Sequence, residues 1–211
     1  MDFIVLSSSG GTTFQAVLDR IADGTLTAQC LGLVTDLEDH GCVAKARRVG
    51  LPVRIVQRKK GETRGEYDRR LDGAILELCS ERALTPCEPR MCDQRSTHHD
   101  TFLVCIGWMW LFSPWFVQQW HRRILNVHPS LLPQYPGRHP HEDVLAAREK
   151  TSGMTIHWVD EGVDTGPIIV QKNCSVFPGD TVETLKARIQ ELEKEWYPKV
   201  LEMIDRGKMQ L

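Results

Sequence analysis

With 211 residues, 41% of them hydrophobic and 26% charged, the chain has the make-up of an ordinary globular protein, large enough to bury roughly 70% of the surface it exposes when unfolded. A formal net charge of −2 argues against a nucleic-acid surface, and no apolar run approaches the ~20 residues that cross a bilayer. Seven cysteines, an odd number without framework spacing, point to reduced thiols in the cytoplasm, and strand-like sequence from residue 2 leaves little room for a targeting segment.

Phe3-Ile4-Val5-Leu6 is a continuous apolar run, as a strand buried on both faces requires. Ser7 to Thr13 forms a small-residue loop, after which Phe14, Ala16, Val17, Leu18 and Ile21 recur at helical spacing. Strand, loop and helix N-terminus suit a phosphate, but an ordinary tight turn explains them equally well, and the dinucleotide fingerprint is absent. Leu31 to Val34 and Val53 to Val56 predict two further strands, separated by a helix over 42–49 that Gly50 ends. A charged helix over about 65–82 buries Tyr67, Leu71, Ile75 and Leu78 as one stripe. This alternation predicts an α/β fold with a doubly wound, mostly parallel sheet.

Between residues 85 and 100 the pattern fails. Cys87, Cys92, His98 and His99 are zinc-type ligands, but their spacing matches no common finger, so the segment reads as a loop insertion and no metal is expected. Phe102 to Gly107 resumes as a central strand leading into Trp108-Met109-Trp110-Leu111-Phe112. Core packing accounts for those aromatics, yet they fall at a strand end, where α/β sheets bind ligands. Met154 to Val159 and Ile168 to Gln171 continue the β pattern around the loop from Asp160 to Pro167. The last helix opens near Asp180, with Asp180 and Glu183 spaced as a capping box. Val182, Leu185, Ile189, Leu192 and Trp196 form its expected stripe, and Gln190 and Glu193 share another face. No repeat or linker appears, so residues 1–211 are expected to form one domain.

The stretch from Ile124 to Pro133 organises the rest. Its first half reads as a buried strand, and alternation points Asn126 and His128 to the same face. An amide N–H beside an imidazole at a strand's carboxyl end suits an oxygen that gains negative charge, although both side chains also suit bonds to the following loop. The whole motif, Asn126-x-His128-Pro129-Ser130-Leu131-Leu132-Pro133 followed by Asp164-x-Gly166-Pro167, resembles the signature of the formyltetrahydrofolate-dependent formyltransferases.

Nearly the whole chain, the 85–100 insertion excepted, is similar to the purine-pathway branch of that family. The resemblance implies a Rossmann-like fold that transfers a formyl group from 10-formyltetrahydrofolate to the amine of glycinamide ribonucleotide. It makes Asn126, His128 and Asp164 the catalytic trio. Met109, Trp110, Leu111, Phe112, Asp160, Gly162 and Asp164 would hold the folate; Gly11, Thr12, Thr13, Gln190 and Glu193 would hold the acceptor. The family usually has asparagine where Thr13 stands and arginine where Trp110 stands, so phosphate and folate-tail binding are expected to differ. The implied partners are small molecules, with no nucleic acid and no membrane, and a homodimer is compatible with the sequence. The alternative is formylation of a nucleotide-linked amino sugar, whose enzymes share the trio but generally carry further C-terminal structure. Methionyl-tRNA formylation and formyltetrahydrofolate hydrolysis both call for an additional domain. A catalytically silent binding protein fits poorly with an intact trio.

Overall fold

The computed structural model describes residues 1–83 and 101–208. The expected insertion at 85–100, with its Cys87, Cys92, His98 and His99, lies outside the described residues. In chain order the elements are β1 (Asp2–Leu6), α1 (Thr12–Ala22), β2 (Gln29–Thr35), α2 (Gly41–Arg48), β3 (Val53–Ile55), α3 (Arg64–Ala83), β4 (Thr101–Cys105), α4 (Pro114–Gln119), β5 (Ile124–His128), α5 (Pro140–Ala146), β6 (Thr151–Trp158), β7 (Ile168–Ser175) and α6 (Val182–Asp205). The strands form one sheet in the order β3-β2-β1-β4-β5-β6-β7. The pairings from β3 through β5 are parallel, and the β5–β6 and β6–β7 pairings are antiparallel. The strand order reverses between β1 and β4, the position where doubly wound sheets open a crevice at their carboxyl ends.

Period-2 alternation divides the central strands between two cores. Phe3, Val5, Phe102 and Val104 pack with Phe14 and Val17 of α1 and Leu185 and Ile189 of α6. Ile4, Leu6, Leu103 and Cys105 pack on the other face, with Tyr67, Leu71, Ile75 and Leu78 of α3 and Phe116 of α4. Full burial of each large aliphatic side chain contributes about 1.5–3 kcal/mol, so both helical layers are held by dense apolar contact.

α6 departs from its expected pattern in two ways. Its capping box is made by Thr181 and Thr184. Asp180 instead pairs with Arg188 at 2.7 and 2.8 Å, and that guanidinium holds its carboxyl well below the usual carboxylate range. The buried stripe runs through Leu185, Ile189, Glu193, Tyr197, Val200, Leu201 and Ile204, while Val182, Leu192 and Trp196 are half-buried. Trp196 lies under the ammonium groups of Lys172 and Lys199 at 3.6 and 4.7 Å, which accounts for its position at the rim. Glu193 therefore occupies the core-facing stripe and not a separate polar face. The helix continues through Pro198.

Candidate active site

β5 places Leu125 and Val127 in the core, so Asn126 and His128 fall on the opposite side of the strand. Pro129 then stops the ladder, and the following loop returns beneath His128. The His128 Nε2 lies 2.8 Å from the Tyr135 carbonyl oxygen. A carbonyl only accepts, so Nε2 carries a proton and Nδ1 is the nitrogen free to exchange one. Nδ1 is 3.3 Å from Asp164 Oδ2. The same Asp164 oxygen accepts the Gly137 backbone N–H at 2.8 Å. Asp164 has φ 54°, an uncommon conformation for a non-glycine residue and one that recurs at functional sites.

Antiparallel pairing sets His157 of β6 directly opposite Asn126. The His157 Nδ1 donates to the Trp158 carbonyl at 2.9 Å, leaving Nε2 to accept from the Asn126 amide nitrogen at 3.3 Å. Burial lowers the pKa of His157, which keeps this neutral tautomer in place. The contact fixes which end of the Asn126 amide is nitrogen and leaves its second N–H available to a substrate oxygen. His157 is buried in the sheet and also lines the cleft.

These groups open into a cavity of about 730 Å³, within the range of small-molecule sites. All fourteen residues singled out from the sequence line it: Gly11, Thr12, Thr13, Met109, Trp110, Leu111, Phe112, Asn126, His128, Asp160, Gly162, Asp164, Gln190 and Glu193. The N-terminus of α1 forms part of its lining. Gly11 is its N-cap with φ 72°, and a Cβ there would meet Cys42 Cα at 2.9 Å, so only glycine fits. Its own N–H is taken by Ser9 Oγ at 3.2 Å, but no side chain caps the helix, and the N–H groups of Thr12 and Thr13 begin the first turn. Thr13 turns its hydroxyl away from that role and donates it to Glu193 Oε2 at 2.9 Å. Burial pushes the Glu193 carboxyl up to about 7. Lys186 also lines the cavity and was missed by the sequence reading, although it stands one helical turn before Gln190 on the same face.

Another part of the lining is aromatic. Phe112 stacks on Phe116 at 4.8 Å and on Trp108 at 6.2 Å, anchoring the wall to the core beneath α4. The Trp110 indole N–H donates to Asp36 Oδ2 at 2.9 Å. The guanidinium of Arg58 lies 4.8 Å from the Trp110 ring centre, so a cation sits beside position 110 even though that residue is not basic. Arg64 also lines the cavity. Asp160 uses Oδ1 to close its own turn, accepting from Gly162 N at 3.0 Å and Thr165 Oγ1 at 2.7 Å. Gly166 has no room for a side chain: a Cβ would lie 1.8 Å from the Trp158 carbonyl oxygen.

An amide, an imidazole and a carboxylate converging at a strand end, in one cleft with an anion-accepting helix terminus and an apolar wall, define a group-transferring enzyme. Residues 1–201 match the sequence profile described as formyl transferase, and the chain belongs to that family. It is 31% identical over 202 residues to the phosphoribosylglycinamide formyltransferase of Bacillus subtilis, covering 96% of this chain and 93% of that protein. It is 34% identical to the trifunctional purine biosynthetic protein adenosine-3 of Gallus gallus, covering 98% of this chain and 19% of that protein. The chain spans only 14–19% of the length of the trifunctional relatives it matches. Glycinamide ribonucleotide transformylase 1 from Symbiobacterium toebii has the same fold, with a TM-score of 0.84 and 29% identity over 100% of this chain and 90% of that one.

Proposed function

We propose that the protein transfers the formyl group of 10-formyltetrahydrofolate to the amine of glycinamide ribonucleotide, as a cytoplasmic enzyme of purine biosynthesis. The observation that carries this reading is that the Asn126–His128–Asp164 centre shares one cleft with an anion-accepting helix terminus and an aromatic wall. The acceptor's phosphate would lie at the α1 N-terminus, its polar arm against Gln190 and Glu193, and the pterin along residues 109–112 and the 160–164 loop. The relatives named for this activity support the choice of acceptor over a nucleotide-linked amino sugar.

In the reaction the unprotonated amine attacks the formyl carbon, and negative charge grows on the formyl oxygen. The free Asn126 N–H donates to that oxygen, its direction fixed by His157. His128 Nδ1, once protonated, donates to the same oxygen. Asp164 faces Nδ1 and helps pass the proton from the attacking nitrogen to the leaving one. The Tyr135 carbonyl holds the other ring nitrogen, so the imidazole keeps its orientation throughout. These residues supply donor, base and orientation without calling on a metal. The single catalytic domain of 1–211, with its insertion at 85–100, is part of this proposal.

The test is an acceptor screen with 10-formyltetrahydrofolate, following the absorbance of the released folate. Turnover with glycinamide ribonucleotide and none with a nucleotide-linked amino sugar is the expected result. The opposite pattern would replace this acceptor with the other.

A further inference from the structure

Glu193 is a carboxylate on the core-facing stripe of α6, only 9% exposed, yet it lines the cleft. Its Oε2 is held at 2.9 Å by the hydroxyl of Thr13, itself 3% exposed, across the gap between α1 and α6. No described residue donates a hydrogen bond to the other oxygen, Oε1. One turn further on, the Tyr197 hydroxyl reaches the carbonyls of Cys105 and Leu125 at 2.9 and 3.3 Å, which locks α6 against the ends of β4 and β5. The backbone beneath Glu193 is thus rigid, and the remaining freedom of its carboxylate is removed by Thr13.

Resting on the reading above, we propose that Thr13 is a positioning residue for acceptor binding. Its hydroxyl clamps Glu193 through Oε2 so that Oε1 is left to accept a hydrogen bond from a hydroxyl or N–H of the acceptor. The anion-accepting turn and the polar arm of α6 then act as one unit, although 180 residues separate the two side chains. A clamped carboxylate has lost its rotamer entropy before the ligand arrives, and that cost no longer weakens binding.

The clamp also has an electrostatic signature. Burial drives the Glu193 carboxyl up to about 7, whereas the Thr13 hydroxyl and, more weakly, the Lys186 and Lys194 ammonium groups favour its ionised form. From α5, His141 lines the same cleft, and the Tyr197 phenol is committed to its two carbonyls. Removing the Thr13 donor raises the Glu193 titration further.

The experiment compares wild type, Thr13→Val, Thr13→Ser and Glu193→Gln. Difference infrared titration of the unliganded proteins follows the carboxyl-stretch band identified by its loss in Glu193→Gln. Its midpoint is expected to move to higher pH in Thr13→Val and to return in Thr13→Ser. Kinetics with glycinamide ribonucleotide at pH 7 should show KM raised about tenfold in Thr13→Val, equivalent to about 1.4 kcal/mol. The kcat at saturation should stay within about twofold. An unchanged infrared midpoint in Thr13→Val, or a loss confined to kcat, overturns the proposal. Should wild type turn over no glycinamide ribonucleotide, the functional reading falls, while the infrared midpoints still decide for or against the clamp.

Discussion

At the reaction centre Nε2 of His128, both nitrogens of His157 and one oxygen of Asp164 are held by neighbours at 2.8–3.3 Å. Along the 108–112 wall, Met109 and Leu111 are about half exposed and Trp110 makes one indole hydrogen bond. The first region obtains precision from rigid partners, because a misdirected donor is nearly useless to a charge that develops at one point. The second needs only a flat apolar surface of the right width, so small displacements cost little. The contrast predicts large losses in turnover from single atoms at the centre and modest losses in affinity at the wall.

The strongest attempt to break the comparison is at His128 and Asp164. His128→Ala and Asp164→Ala should each lower kcat by roughly 10²- to 10⁴-fold while circular dichroism shows a native fold. The double variant should be scarcely worse than either single one, since the two share one proton. Near-native turnover in either folded variant would end the proposed mechanism. Asn126→Ala comes next, with an expected loss of about 10²–10³ in kcat for one oxyanion donor.

His157 sharpens the boundary between doing chemistry and directing it. His157→Phe should cost about tenfold in kcat, less than losing Asn126 itself, because the amide survives but loses its fixed direction. This substitution also has a pH signature. Burial depresses the folded-state pKa of His157 below its ordinary 6.5, so its contribution to stability is present above pH 6.5. That contribution is lost as pH falls through the lower folded value. Melting temperature should therefore drop more steeply on acidification in wild type than in His157→Phe, and parallel curves would contradict the assignment.

Smaller effects belong to the wall. Leu111→Ser should raise the donor KM a few-fold with kcat and melting temperature nearly unchanged, since Leu111 is 49% exposed before any ligand binds. Arg58→Ala removes the guanidinium stacked on Trp110, and a loss of about 0.5–1 kcal/mol corresponds to a two- to fivefold rise in donor KM. A hundredfold loss of kcat from either change would dissolve the distinction between the reaction centre and the wall.

Much of this was legible in the chain itself. Continuous apolar runs at Phe3–Leu6 and Phe102–Ile106 required strands buried on both faces, and the helices between them required a parallel sheet. Alternation alone put Asn126 and His128 on one face. The motif that follows, with Asp164 downstream, named a chemistry, and its residues do converge.

What tertiary structure decided were the partnerships. Alternation gives the face of a strand but not the residue across from it, so only the β5–β6 register could set His157 opposite Asn126. Helical spacing suggested a stripe through Leu192 and Trp196, but packing on the sheet rotated the buried line onto Glu193 and Tyr197. Thr13 meets Glu193, and Arg58 meets Trp110, because distant strand-end loops and helices converge around the crevice where the strand order reverses. Local sequence determines which groups are present and which way each element faces. Long-range packing determines which of them touch, and the rigidity of the reaction centre comes from those contacts.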